Sequence, residues 1–183
     1  MTDSGGRPSR RPRILALDPS LVAFGYCLDG EPGVIKSRLK GWDRIAEITQ
    51  QVFAMTFGMD VVAIEGYAFG AKGQAIYQIG ELGGIIRFWL YQHSITTVEV
   101  PPATLKKYAT GSGNAGKDAM LAAAIRRFHL GEGHDENNEA DAYLLWAMAR
   151  EAYGGPIAKV PADQAACVHK MGWPRLTIGG GDA

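Results

Sequence analysis

Ile14-Leu15-Ala16-Leu17-Asp18-Pro19-Ser20 reads as a short buried strand closed by a turn, with an acid as its last residue. Four consecutive apolar residues need cover on both faces, and Pro19 cannot continue a ladder of hydrogen bonds. Val61-Val62-Ala63-Ile64-Glu65 repeats the design farther along: an apolar run, then an acid, then Gly66. Two strands of this type in one chain indicate a sheet covered on both faces by helices.

Working outward from these two stretches gives the remaining elements. Val22 to Leu28 is rich in β-formers and runs into Asp29-Gly30, a hairpin turn pair. Val34 to Leu39 is expected as a third strand. Ile45, Ile48, Val52 and Met55 recur at helical spacing within 42–57, as do Ile76, Ile79, Leu82, Ile86 and Leu90 within 74–92. Thr96 to Val100 is a fifth strand, stopped by Pro101-Pro102. Helices are expected at 103–109, 116–129 and 138–152. The order βββαβαβ followed by helices defines an α/β fold with a mixed five-stranded sheet: an antiparallel meander plus parallel strands, flanked by helices.

Three divisions of the chain follow. Residues 1–12 are expected to form a flexible basic arm, broken by Gly5, Gly6, Pro8 and Pro12 and charged by Arg7, Arg10 and Arg11, with Arg13 just beyond. It is either a solvated tail or a segment that touches phosphates. Residues 13–153 form the folded domain. Residues 154–183, with Pro156, Pro161, Pro174 and a Gly-rich end, are expected to be an extended tail, part of it packed through Trp173.

Composition excludes several classes. The 183 residues are 46% hydrophobic and 21% charged, ordinary globular values. Lys+Arg and Asp+Glu are both 19, so a basic footprint for nucleic acid has to come from the distribution of charge. Cys27 and Cys167 are expected as reduced thiols, and with four scattered histidines they give a structural zinc site little to build on. With no apolar leader and no membrane-length apolar run, a cytoplasmic protein is expected.

Asp18, Glu65 and Asp141 each stand beside residues expected to be buried. A buried carboxylate is costly unless it is paired or binds metal. Three brought together would repel one another, and a divalent cation with a preference for hard oxygen ligands, Mg²⁺ or Mn²⁺, would relieve that repulsion. Taken singly, Asp18 is equally a turn initiator and Asp141 a helix first-turn acid. Glu65 has no such ordinary role.

The Ile14–Ser20 stretch with Gly25 resembles the opening of RuvC-type Holliday junction resolvases, of the RNase H-like superfamily. Ala63-Ile64-Glu65 and its aromatic loop are similar to their second acidic motif. Pro102-Ala103-Thr104-Leu105-Lys106-Lys107 and Gly111-Ser112-Gly113-Asn114-Ala115-Gly116-Lys117 are similar to their basic segment. Glu139-Ala140-Asp141-Ala142 is similar to their terminal acidic motif. The likeness runs over about 13–150 and is nearest to the compact forms carried by bacteriophages.

The resemblance implies an RNase H-like nuclease domain and a crossover junction endodeoxyribonuclease, a metal-dependent hydrolase that resolves four-way or branched DNA. It implies Mg²⁺ as cofactor, with Mn²⁺ as a substitute, and Asp18, Glu65 and Asp141 as ligands. Lys106 and Lys117 would stand near the scissile phosphate, and Tyr67, Phe69, Lys72 and Lys107 would contact DNA. Tyr67 and Phe69 have an alternative use as a staple onto the core. The family places a further acid or histidine one helical turn before its last Asp. Asn138 holds that position here, a weaker ligand through its carbonyl oxygen, and Glu139 is its neighbour. The resemblance also implies a homodimer built on the long helix, whose Gly80, Gly83 and Gly84 equally suit close packing on its own sheet. Two other functions stay open: a non-catalytic junction-binding protein, motivated by Asn138, and an RNase H-type nuclease on RNA–DNA hybrids.

Overall fold

A computed structural model describes residues 10–67, 75–134 and 136–176. Strand β1 (Ile14–Asp18) pairs antiparallel with β2 (Phe24–Leu28), which pairs antiparallel with β3 (Glu31–Ile35). On its other side β1 runs parallel to β4 (Val61–Glu65), and β4 parallel to β5 (Thr97–Val100). The sheet order is β3-β2-β1-β4-β5, a mixed sheet with the two apolar strands at its centre.

The expected alternation of faces divides the core in two. Leu15, Leu17, Val62 and Ile64 face helices α1 (Gly41–Thr56) and α2 (Ala75–Gln92). Ile14, Ala16, Val61 and Ala63 face the other layer, built from α3 (Pro102–Thr110), α4 (Lys117–Arg126), α5 (Asn137–Ala152) and α6 (Ala162–His169). Helix α5 is buried almost all round from Ala142 to Arg150, because it lies across β1 and β2 on one side and meets α4 on the other. A helix sandwiched in this way needs no polar stripe.

Three expectations require correction. The third strand starts at Glu31, not Val34, and ends at Ile35. Asp29 (φ 51°) and Gly30 (φ 107°) make a two-residue turn, so pairing begins at once with Leu28 opposite Glu31. Pro32 is tolerated because β3 is an edge strand. The second correction is α6, which stands where extended chain was expected. Its eight residues bury Val168 and Gln164, too short a pattern to register as periodic. Trp173 does pack as expected: its indole N–H donates to the Val168 carbonyl at 2.9 Å, and its ring meets Tyr153 edge-on. Helix α4 also ends three residues early, at Arg126. No helix of the described residues is long and apolar enough to cross a membrane.

Candidate active site at the carboxyl edge of the sheet

Strands β1 and β4 are parallel and in register, Leu17 opposite Ile64, so Asp18 and Glu65 leave the same edge of the sheet side by side. Asp141 lies in the second turn of α5, which crosses that edge. Its approach depends on Gly25: a Cβ there would stand 2.0 Å from the Asn138 carbonyl oxygen, so only glycine lets the start of α5 sit directly on β2. The Asn138 side-chain amide donates to the Ala23 carbonyl, and Lys36 pairs with Glu136, fixing the same helix end to the sheet.

The three carboxylates disturb one another. Burial holds the Asp18 carboxyl well above the usual range, and the neighbouring Glu65 and Asp141 charges push it further against the pull of Lys117. Burial raises Glu65, while the hydrogen bond with Asp18 and the Lys106 ammonium oppose that rise. Asp141 is pushed up to about 7 by burial and then by Glu65, with Lys117 and Lys106 acting against. Two buried carboxyls at neighbouring strand ends disfavour each other's ionisation, because two carboxylates repel and neither is well solvated. In addition, the Asp141 Oδ1 is buried with no hydrogen-bond partner. Two buried neighbouring acids beside an orphaned carboxylate oxygen fit the donor set of a hard divalent cation. Among the described residues no three His, Cys, Asp or Glu side chains yet surround one point at ligating distance. The three acids thus neighbour one another at this edge without enclosing a point at ligating distance.

The other expected residues divide. Lys106 on α3 and Lys117 at the start of α4 both bear on the acids. Lys107, next in sequence, instead faces the Cys167 thiol of α6. Glu139 is buried and bonded to His134 Nδ1 at 2.9 Å. The Asn138 amide nitrogen is committed to Ala23. Tyr67 folds back on α2: its hydroxyl donates to the Gly80 carbonyl at 3.2 Å and its ring lies 4.4 Å under the Arg87 guanidinium. Phe69 and Lys72 lie outside the described residues. Arg10 of the arm is held by Asp60 at 2.8 and 2.9 Å, at the opposite edge of the sheet. Cys27 is buried and Cys167 half-buried, both free thiols.

Two residues escaped the sequence reading. Asn137 lies four residues before Asp141, on the same helix face, and its Oδ1 is buried without a partner. That spacing was the available signal. Arg87 joins four groups at the site's flank: the Glu99 carboxylate (2.9 Å), the Glu65 and Gly83 carbonyls (3.2 Å each) and the Tyr67 ring. Nothing in a lone arginine on an apolar helix announces this.

No family model matches the sequence. The crossover junction endodeoxyribonuclease RuvC of Synechococcus sp. (strain CC9605) is 29% identical over 146 residues, spanning 73% of this chain and 94% of that protein. The Thermus thermophilus RuvC structure superposes with a TM-score of 0.60 at 19% identity, over 78% of this chain and 96% of that one. T. thermophilus RuvC in complex with Holliday junction substrate gives 0.59 at 17% identity, over 74% and 90%. In sequence the chain is RuvC-like, and its β3-β2-β1-β4-β5 sheet with helices on both faces is the RNase H-like fold.

Proposed function

We propose that this protein is a crossover junction endodeoxyribonuclease that cuts four-way DNA junctions by divalent-metal-dependent hydrolysis. The observation that carries the reading is the meeting of Asp18, Glu65 and Asp141 at one sheet edge, under the charges of Lys106 and Lys117. Asp18, Glu65 and Asp141 would hold Mg²⁺, with Mn²⁺ as a substitute, and Asn137 or Asn138, in the first turn of α5, would add a neutral oxygen. When bound, the metal supplies an activated water and Lewis-acid stabilisation of the phosphate. In their ionised form the carboxylates would hold and orient that centre. Lys106 and Lys117 offset the negative charge that builds on the phosphate oxygens in the transition state.

DNA contact is assigned to Lys107, Phe69 and Lys72, while Tyr67 packs against α2 through Gly80 and Arg87. A homodimer is supported by the outer face of α2. Tyr77, Phe88 and Tyr91 are 74%, 60% and 81% exposed there and lie on one face with Gly84, beside which a Cβ would meet nothing. Gly83, by contrast, is filled by Tyr67 and Arg87. A two-fold dimer would set two sites against two strands of a near-symmetric junction.

The test is cleavage of a labelled four-way junction beside matched duplex and RNA–DNA hybrid, with Mg²⁺, with Mn²⁺ and with chelator. Paired nicks in the junction, lost with chelator, are expected. Tight junction binding with no cutting in either metal makes it a non-catalytic binder, and preferential cutting of the hybrid makes it an RNase H-type enzyme.

A further inference from the structure

A second basic site lies outside the acidic cluster, on the layer formed by α3, α4 and the chain after α5. A cavity of about 620 Å³ opens between the last turn of α3, the outer flank of α4 and Lys159. Arg126, Arg127, His129 and Lys159 line it, the rest of its wall is small residues and one threonine, and no acid contributes. Alanines such as Ala119 and Ala123 leave the floor shallow and open the way for a bulky ligand.

The charge balance favours an anion. Arg126 and Lys159 are exposed, and among the described residues neither makes an ion pair with a carboxylate. The half-buried Arg127 is satisfied by neutral oxygens, the Ala109 carbonyl at 3.1 Å and Gln164 Oε1 at 2.8 Å, so its positive charge is oriented but not cancelled. Two helix ends converge here, those of α3 and α4, and each brings about half a negative elementary charge. Three full positive charges outweigh that, so arginines that merely offset the helix dipoles do not account for the set. His129 adds a side chain at φ 61°, a left-handed position that glycine would occupy without strain.

The cavity begins where the acidic cluster leaves off. Lys117, which bears on Asp18 and Asp141, opens α4, and Arg126 ends it. Nine residues of helix separate them by about 14 Å, close to four nucleotide steps of a duplex strand at about 3.4 Å each. We infer that the Arg126–Arg127–His129–Lys159 cavity binds backbone phosphates of a DNA arm away from the cut, supplying grip without chemistry. This rests on the junction reading above.

The test is the salt dependence of junction binding by wild type and by the double variant Arg126→Ala/Lys159→Ala, in Ca²⁺ to withhold cleavage. Each phosphate contact contributes about 0.9 to the slope of log affinity against log salt. Loss of two contacts therefore lowers the slope by about 1.8. Between 50 and 200 mM salt the wild type then loses about twelvefold more affinity than the variant. Cleavage at saturating junction in Mg²⁺ stays at the wild-type rate, since neither residue touches the acids. An unchanged slope with junction binding intact overturns the cavity assignment and leaves the nuclease reading standing. If wild type itself fails to bind junctions, the junction reading falls, and inorganic tripolyphosphate becomes the probe. Binding that the double variant loses keeps a phosphate site there; no binding by wild type removes it.

Discussion

Among the described residues, Asp18, Glu65 and Asp141 are set against one another and are offset by two lysines, Lys106 and Lys117. Asp18→Asn, Glu65→Gln and Asp141→Asn keep each side chain's size and remove its charge. Partners one shell out from a metal are worth about 10–100-fold, so each variant is expected to lose at least about a hundredfold in junction cleavage while binding the junction as wild type does. Cleavage and gel-shift assays on the same preparations check this, and wild-type cutting by all three variants removes the assignment. Arg87 acts on the same centre at one remove, since it grips the Glu65 carbonyl from α2. Arg87→Lys keeps the charge but cannot hold Glu99, the two carbonyls and the Tyr67 ring together. It is expected to cost about 1–3 kcal/mol in thermal unfolding and to lower the cleavage rate more than junction affinity. An unaltered rate with lowered stability would confine Arg87 to a structural part. These residues were unequally legible. Packing gives no reason to end an all-apolar strand on an acid, so Asp18 and Glu65 stood out. Asn137 was marked only by its four-residue spacing from Asp141, and Arg87 matters through Glu65 and Tyr67, partners far away in sequence that no local pattern records.

At the scale of elements, the site depends on how closely α5 can approach β2. Gly25→Ala places a methyl group 2.0 Å from the Asn138 carbonyl oxygen, a backbone atom that cannot turn aside. Overpacking of this kind costs about 1–3 kcal/mol, or a fall of about 2–12 °C in melting temperature for a chain of this size. Because α5 carries Asp141, cleavage should fall further than the loss of folded protein explains, measured at a temperature where the variant stays folded. A stable variant with full activity would show that α5 docks with slack. The same scale explains the fold's legibility. A 3.6-residue period located α1 and α2, continuous apolar runs located β1 and β4 because both their faces are buried, and the proline stop located β5. The start of β3 depended on a two-residue turn and on edge-strand tolerance of Pro32, and α6 on burial of Val168 and Gln164 alone, neither of which is a periodic signal.

For the whole molecule, the exposed aromatic face of α2 and the buried acids make separate claims on assembly and stability. Three large aromatics on one helix face are more than a monomer ordinarily leaves to water. Phe88→Asp with Tyr91→Asp should convert a dimer to a monomer in sedimentation at micromolar concentration, with folding intact because both side chains already face outward. Monomeric wild type under the same conditions would count against that face. The acids predict how stability depends on pH. Asp141 titrates near 7 in the fold, against an ordinary value of 3.8, and Asp18 and Glu65 are raised as well. The native metal-free protein therefore holds more protons than the unfolded chain between about pH 4 and 7. By linkage, this contribution to stability is fully present below about pH 4 and is lost as pH rises through about 7. For Asp141 alone it is worth up to about 4 kcal/mol, before any relaxation of the site. With chelator, the melting temperature should therefore be lower at pH 8 than at pH 5.5. Divalent cation binds only the deprotonated acids, so millimolar Mn²⁺ or Mg²⁺ should raise the melting temperature at pH 8 and do little at pH 5.5. In the Asp141→Asn variant both the pH slope and the cation's effect should shrink together. If they persist unchanged there, the ionisations that govern stability lie elsewhere in the chain.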